Sequence, residues 1–171
     1  MSGWIERLGR RLWASIITWP DRAGWIYAAG VGALTLAGMA AIGFSTGYYA
    51  LHPTLTAGLP MRLVSVLIAP GLGEEIPFRG LLVPARSEAA NPWRSLVPMT
   101  VVFTAWHVVE VFTVLPAARA AFLRWDFLAC AATLGLGCGL VRWRTGSLWP
   151  AVTLHWLAVT IWQTWLGGFT L

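Results

Sequence analysis

The chain has 171 residues, of which 57% are hydrophobic and 11% are charged, and its mean hydropathy is +0.66. Since soluble domains carry about 25% charged residues, this composition excludes an ordinary soluble domain. The net charge of +5 comes from arginines without any lysine, and in so apolar a chain it indicates membrane topology rather than nucleic-acid binding. We therefore predict an all-α, polytopic membrane bundle with room for about five spans of roughly 20 residues each.

The N-terminal segment, residues 1–22, has the pattern of an amphipathic helix that lies in the headgroup region of a membrane. Its arginines face away from an apolar stripe. The stripe consists of Trp4, Ile5, Leu8, Leu12, Trp13, Ile16 and Ile17, and the arginines are Arg7, Arg10 and Arg11. The remainder, residues 23–171, is predicted to form a single transmembrane domain.

Five apolar segments follow in chain order and predict the spans. They are residues 25–50, 59–85, 95–115, 127–141 and 147–169. The second is interrupted by prolines and glycines, and the fourth is short and rich in glycine. Gly135 and Gly139 in the fourth segment predict close packing against a neighbouring helix.

The arginines agree with five crossings and a cytoplasmic N-terminus. That topology places eight arginines on the cytoplasmic side and three outside, as the positive-inside rule requires. The eight are Arg7, Arg10, Arg11, Arg22, Arg86, Arg94, Arg142 and Arg144, and the three are Arg62, Arg119 and Arg124. We therefore expect an integral membrane protein that lies in a bacterial inner membrane.

Ionisable side chains within the predicted spans are the first candidates for function, because charge is costly in hydrocarbon and is usually paired and used there. Glu74, His107 and His155 lie in three different spans. Each is 11 to 13 residues from the arginine at its predicted cytoplasmic loop, which is roughly 16 to 20 Å at 1.5 Å per residue. A common depth predicts that the three side chains form one site.

Within the second span, Glu75 and Arg79 are four residues apart and are predicted to pair on one helical face. Glu74 points about 100° away from that face, so its desolvated carboxylate is suited to accept a proton. Pro77 lacks an amide hydrogen and crowds the carbonyl of Gly73, which predicts a kink at the glutamates.

Three ordered motifs resemble those of a known family. The run from Glu74 to Gly80, EEIPFRG, resembles the EExxxR(G) motif of the CAAX protease and bacteriocin-processing family (CPBP or Abi family) of intramembrane glutamic endopeptidases. The run from Phe103 to His107, FTAWH, matches its FxxxH motif, and the SLWP run before His155 resembles the start of its last histidine motif. These motifs cover roughly residues 70–160.

The resemblance implies a catalytic set of five residues and no cofactor. Glu74 would be the general base that activates water, with help from His107. His155 would orient the substrate or stabilise the oxyanion, while Glu75 and Arg79 would support the site. The implied substrate is a membrane-anchored or lipid-modified protein or peptide within the lipid bilayer, and no nucleic-acid partner is expected.

The chain departs from the family pattern at Val159, where the family commonly has asparagine in an HxxxN motif. The only asparagine of the chain, Asn91, falls in a predicted loop. A missing oxyanion donor can cost about 100-fold or more in rate.

Several other interpretations fit the same residues. The chain could be a degenerate family member that acts as a membrane scaffold or chaperone, or a small proton-coupled transporter, although no internal repeat supports a transporter.

Two histidines and a glutamate could also bind zinc, but there is no HExxH motif, and the metal-free mechanism is favoured. Glu74, Glu75 and Arg79 could instead form a structural ion-pair network. The histidines could be packing residues, with Glu110 as a hydrogen-bond partner of His107. His52 is interpreted as incidental, and the sequence leaves the oligomeric state open.

Overall fold

The computed structural model describes residues 2–55 and 57–169, and in them the regular secondary structure is helical. An isolated β-bridge joins His52 to Leu166, so His52 contributes through its backbone. The α-helices are α1 (Ser2–Ile17), α2 (Arg22–Ser45), α3 (Leu59–Val66), α4 (Gly73–Glu75), α5 (Trp93–Thr113), α6 (Arg119–Phe122), α7 (Trp125–Thr145) and α8 (Trp149–Trp165). The predicted all-α fold is confirmed.

Three of the described helices are long and apolar enough to cross a membrane, namely α2, α5 and α7. The predicted second span is instead a broken helix, residues 59–81, which runs from α3 through α4 and two π-helical turns. The helix α8 has 17 residues. The structure therefore supports a membrane bundle, while the count of five spans stays a prediction.

The broken helix takes its shape from two prolines. Its π-helical turns are Leu67–Leu72, which contains Pro70, and Ile76–Leu81, which has Pro77 near its start. Proline removes a backbone donor and crowds the preceding turn, and π-helical turns are frequent at functional sites. The predicted distortion at the glutamates thus takes the form of two π-helical turns on either side of them.

The centre of the bundle is α7, which packs against α2, α5 and α8. Its glycines permit the close approach of these helices. A Cβ atom at Gly135 would lie against Phe103, and one at Gly139 would lie against Leu96 and Met99. Small residues at helix contacts are typical of membrane bundles, and here the predicted packing brings α5, with His107, close to α7.

The helix α1 packs against the last turn of the broken helix and the start of α8. The guanidinium Nη1 of Arg11 donates to the carbonyl of Leu81 at 3.0 Å, and the indole of Trp149 donates to the carbonyl of Ile16 at 2.8 Å. Four large apolar side chains of α1 are exposed, namely Trp4, Ile5, Trp13 and Ile17. One side of the helix, which includes Arg11, is fixed on the bundle, while these four members of the predicted apolar stripe remain exposed, and the place of the helix in the headgroup region stays a prediction.

Candidate active site

All five predicted site residues lie in one cluster between the broken helix, α5 and α8. The Nε2 atoms of His107 and His155 are each 3.9 Å from Oε2 of Glu74. On the other side of its ring, Nδ1 of His155 is 2.8 Å from Oε1 of Glu75. The same Glu75 oxygen is 2.8 Å from Nη1 of Arg79. The three side chains that were predicted to lie at one depth therefore meet in one cluster.

The pair of Glu75 and Arg79 is completely buried, since both side chains are 0% exposed. A second Arg79 nitrogen, Nη2, donates to the carbonyl of Gly135 at 3.3 Å, and the guanidinium carbon lies 3.9 Å from the ring centre of Phe103. A buried guanidinium is stable only with such compensation. Arg79 therefore holds the broken helix against both α5 and α7.

Glu74 differs from its neighbour Glu75 in having no cation beside it. Its Oε2 atom is buried and has no hydrogen-bond partner, although its side chain keeps 14% of its surface exposed. Buried polar atoms are nearly always hydrogen-bonded. An unpartnered carboxylate oxygen at this depth is therefore a candidate binding atom.

The two imidazoles present the same nitrogen to Glu74, and their hydrogen positions follow from their partners. The Nδ1 atom of His107 lies 2.9 Å from the carbonyl of Phe103, which can only accept, so this nitrogen carries the hydrogen. For His155 the Nδ1 partner is the Glu75 carboxylate at 2.8 Å, which also only accepts, so Nδ1 of His155 carries the hydrogen as well. In the neutral rings both Nε2 atoms are acceptors, so three acceptors converge at Glu74 and require a shared donor or cation.

A cavity of about 460 Å³ opens beside this cluster. Most of its lining is apolar or aromatic, which suits a site for an apolar ligand with a few polar groups that fix its orientation. The aromatic residues of the lining are Tyr48, Tyr49, Phe78, Phe103, Trp106, Phe122, Phe127, Trp162 and Phe169. Glu74, His107 and His155 also line the cavity, so a bound chain would contact their side chains directly.

Glu110 has a larger part in this site than the sequence indicated. It lines the cavity, and its Oε2 atom is buried without a partner. One donor atom each from Glu74, His107 and Glu110 lie within 4.8 Å of one another. The hydrogen bond considered between His107 and Glu110 is replaced by the bond to Phe103. The spacing of three residues after His107 was the only signal in the sequence for this placement.

Val159 lines the cavity one helical turn after His155. The position where the family commonly has asparagine therefore faces the site but offers no hydrogen-bond donor. One turn further, Gln163 also lines the cavity. Among the described lining residues, it is the one with a side-chain amide.

The family model for Rce1-like proteins, described as type II CAAX prenyl endopeptidase Rce1-like, matches residues 56–161. The chain belongs to this family. The matched segment contains every residue of the cluster and ends within α8. No curated protein and no solved structure matches the chain.

Membership in the Rce1-like family confirms the family predicted from the three motifs. It is a protease family that acts on membrane-associated proteins, which supports peptidase activity for this chain. Together with the three long apolar helices, it indicates an integral membrane protein.

Proposed function

We propose that the chain is an intramembrane endopeptidase in which Glu74 activates the water that hydrolyses a peptide bond. The observation that carries the proposal is the unpartnered Oε2 atom of Glu74, which lies 3.9 Å from both imidazole Nε2 atoms on the wall of an apolar cavity. Three converging acceptors are the surroundings that a hydrogen-bond donor such as water satisfies.

A water molecule at about 2.8 Å from each atom would donate to Glu74 and to one imidazole. Glu74 would take its proton as the oxygen attacks the peptide carbonyl carbon, which gives a tetrahedral intermediate with negative charge on the former carbonyl oxygen. The same proton would then pass to the leaving nitrogen as the carbon–nitrogen bond breaks. The products are a carboxylic acid and an amine, which become a carboxylate and an ammonium once the second proton of the water has passed to the amine.

The partners of the two histidines favour different tasks. Nδ1 of His107 bonds a backbone carbonyl, so this ring is suited to orient the water as a neutral acceptor. Nδ1 of His155 bonds the carboxylate of Glu75, which would balance the charge if Nε2 of His155 carried a proton toward the oxyanion. A carboxylate in that position supports an imidazolium that forms during the reaction. Arg79 in turn holds Glu75 in place.

The proposed substrate is a membrane-anchored or lipid-modified protein or peptide. The apolar cavity lining and the depth of the cluster support it, because a chain with an apolar group could enter from the bilayer. The proposal includes five spans in a bacterial inner membrane and a cytoplasmic N-terminus, for which the arginine distribution is the support.

A zinc-dependent mechanism is the second candidate, and Glu110 is the observation that favours it. Glu74, His107 and Glu110 bring two carboxylates and an imidazole together, and these are ligand types that zinc accepts. The Nδ1 bond from His107 to a backbone carbonyl is also the usual outer partner of a zinc-bound histidine. Zinc would polarise the substrate carbonyl or the attacking water. The metal-free proposal stands first because the chain lacks the HExxH motif, in which two zinc ligands share one helix face with the general base.

The decisive experiment compares wild-type protein with Glu74→Gln and Glu110→Gln. Membrane peptides from cells that carry each form are identified by mass spectrometry, and products are then tested with purified protein in vesicles, with and without a chelator. Glu74→Gln should lower the rate by about 10²- to 10⁴-fold, while Glu110→Gln and the chelator should leave it nearly unchanged.

Loss of activity with the chelator, restored by zinc, together with a similar loss in Glu110→Gln, would establish the zinc mechanism instead. Unchanged cleavage by Glu74→Gln would overturn the role of Glu74. A cellular phenotype that Glu74→Gln fully maintains, without any cleavage product in wild-type cells, would indicate a scaffold.

A further inference from the structure

A second polar site lies at the end of the bundle where α1 meets α7, away from the catalytic cluster. We call it the arginine pocket. Its lining includes four arginines and one carboxylate. The described lining residues are Arg7, Arg10, Arg11, Ala14, Thr18, Ala85, Ser87, Glu88, Arg142, Thr145 and Gly146.

The base of the arginine pocket is Arg142, whose side chain is almost completely buried. Only 1% of the residue is exposed, yet its Nε and Nη1 atoms have no hydrogen-bond partner. A buried guanidinium is normally paired with a carboxylate or with several acceptors. Arg142 therefore has free donors that point to a negatively charged ligand.

Among the described lining residues Glu88 is the one carboxylate, and its oxygens are already bonded to two other residues of the lining. Glu88 accepts from Nε of Arg11 at 2.9 Å and from the backbone amide of Ala85 at 2.9 Å. The lining has four arginines and one glutamate, and Glu6 lies 3.8 Å from Arg10 on the exposed side of α1, so two positive charges remain in excess. This excess matches the charge and the several acceptor oxygens of a phosphate, which guanidinium groups bind with paired hydrogen bonds.

The exposed apolar side chains of α1 indicate where such a phosphate would come from. Trp4, Ile5, Trp13 and Ile17 are each 60% exposed or more, on the helix that supplies three of the pocket arginines. An amphipathic helix with this composition lies at the boundary of headgroups and acyl chains. The arginine pocket then lies at headgroup level, where anionic lipids attract basic clusters.

We propose that the arginine pocket binds the phosphate of an anionic phospholipid headgroup. Arg142 contacts the phosphate from below with Nε and Nη1, and Arg7 and Arg10 contact it from the exposed rim. Arg11 also donates to the carbonyl of Leu81, at the end of the broken helix. A bound lipid therefore fixes α1 to the segment that carries the catalytic glutamates and stabilises the bundle.

The test measures the thermal unfolding midpoint of the full chain in zwitterionic phosphatidylcholine nanodiscs, with increasing fractions of phosphatidylglycerol. The wild type should show a saturable rise of the midpoint with phosphatidylglycerol. Arg142→Met should lose most of that rise. Arg94→Met is the matched control, because it removes an exposed arginine outside the pocket, and it should keep the rise.

A second variant covers the case in which Arg142→Met does not fold. Arg7→Gln with Arg10→Gln changes only exposed rim residues and should weaken the phosphatidylglycerol dependence by about 25-fold, at roughly fivefold per arginine. Inorganic phosphate added to phosphatidylcholine nanodiscs should produce a much smaller rise.

Three results would overturn the proposal. One is a rise of the unfolding midpoint with phosphatidylglycerol in Arg142→Met, or in the double rim variant, that equals the rise in the wild type. Another is an equal loss in Arg94→Met, which would mean general surface charge. The third is a full rise with inorganic phosphate alone, which would make the ligand a free anion rather than a lipid.

Discussion

The molecule contains two fully buried arginines in two different regions, and their surroundings are opposite. In the candidate active site, Arg79 is 2.8 Å from the carboxylate of Glu75 and the spare charge is the negative one of Glu74. Nε and Nη1 lack a hydrogen-bond partner in both arginines, but Nη1 of Arg79 has the Glu75 carboxylate beside it. In the arginine pocket, none of the described carboxylates lies within ion-pair distance of Arg142, so the spare charge is positive. A buried charge that is paired holds helices together. A buried charge that is unpaired and faces a cavity indicates a ligand with complementary charge or hydrogen-bonding groups.

The strongest test of this contrast compares Arg79→Met with Arg142→Met. Removal of Arg79 leaves Glu75 buried without its cation, so the free energy of unfolding should fall by about 3 to 5 kcal/mol. Removal of Arg142 deletes an uncompensated charge, so the change in a zwitterionic detergent should stay within about 1 kcal/mol. Denaturant unfolding of the purified variants measures both values, and equal losses would contradict the contrast.

The two adjacent glutamates provide the next test. Glu75→Gln leaves Arg79 and His155 without their carboxylate, so it should cost about 3 kcal/mol of unfolding free energy. Glu74→Gln removes a group without a cation, so stability should change by less than about 1 kcal/mol although cleavage is lost. The same unfolding assay applies, and a stable Glu75→Gln variant would show that the pair is not structural.

A smaller effect is expected from Val159→Asn, which places an amide on the cavity wall one turn after His155. If the oxyanion lies there, the cleavage rate should rise by up to about tenfold, less than the effect of deleting an established donor. Val159→Leu, which adds no donor, is the control and should give no increase. A rate that is unchanged in Val159→Asn but reduced in Gln163→Leu would assign the donor role to Gln163 instead.

The smallest expected effect is the pH dependence at the rim of the arginine pocket. Burial raises the pKa of Glu88, but the Ala85 amide and the Arg11 guanidinium outweigh it, so the net pKa is below its ordinary value. Because the pKa of Glu88 is lower in the folded state, its ionised carboxylate stabilises the fold at pH values above the unfolded-state pKa. This stabilisation is lost as the pH falls through the folded-state pKa. It should be less than about 1 kcal/mol because the pair is partly exposed. The free energy of unfolding, measured from about pH 6 to about pH 3, should show this loss of stability. The Glu88→Gln variant should not show it.

Local features of the site could be predicted from the sequence because they depend on helix geometry. The pairing of Glu75 with Arg79 follows from their spacing of four residues, and the distortion around the glutamates follows from Pro77. The meeting of His107 and His155 with Glu74 could also be predicted, since three spans in one thin membrane share a depth scale. Residue type and distance along the chain were sufficient for these results.

Contacts across helices could not be predicted in the same way. The bond from His155 to Glu75, rather than to Glu74 alone, depends on how α8 is rotated against the broken helix. The approach of Glu110 to the cluster depends on the packing of α5 on α7. A sequence specifies neither rotation directly, because both result from how side chains of distant segments fit together.

The sequence by itself determined a helical membrane protein, its protease family and the five residues of the candidate site. It did so because charge in an apolar segment is rare and because helical spacing is fixed. Only the tertiary structure showed that Glu74 and Glu75 have different partners. Only the tertiary structure showed that Arg142, which marks the end of a loop in the sequence, is buried without a paired carboxylate. Partners across helices decide whether a buried charge is neutralised, and those partners exist only once the bundle is packed.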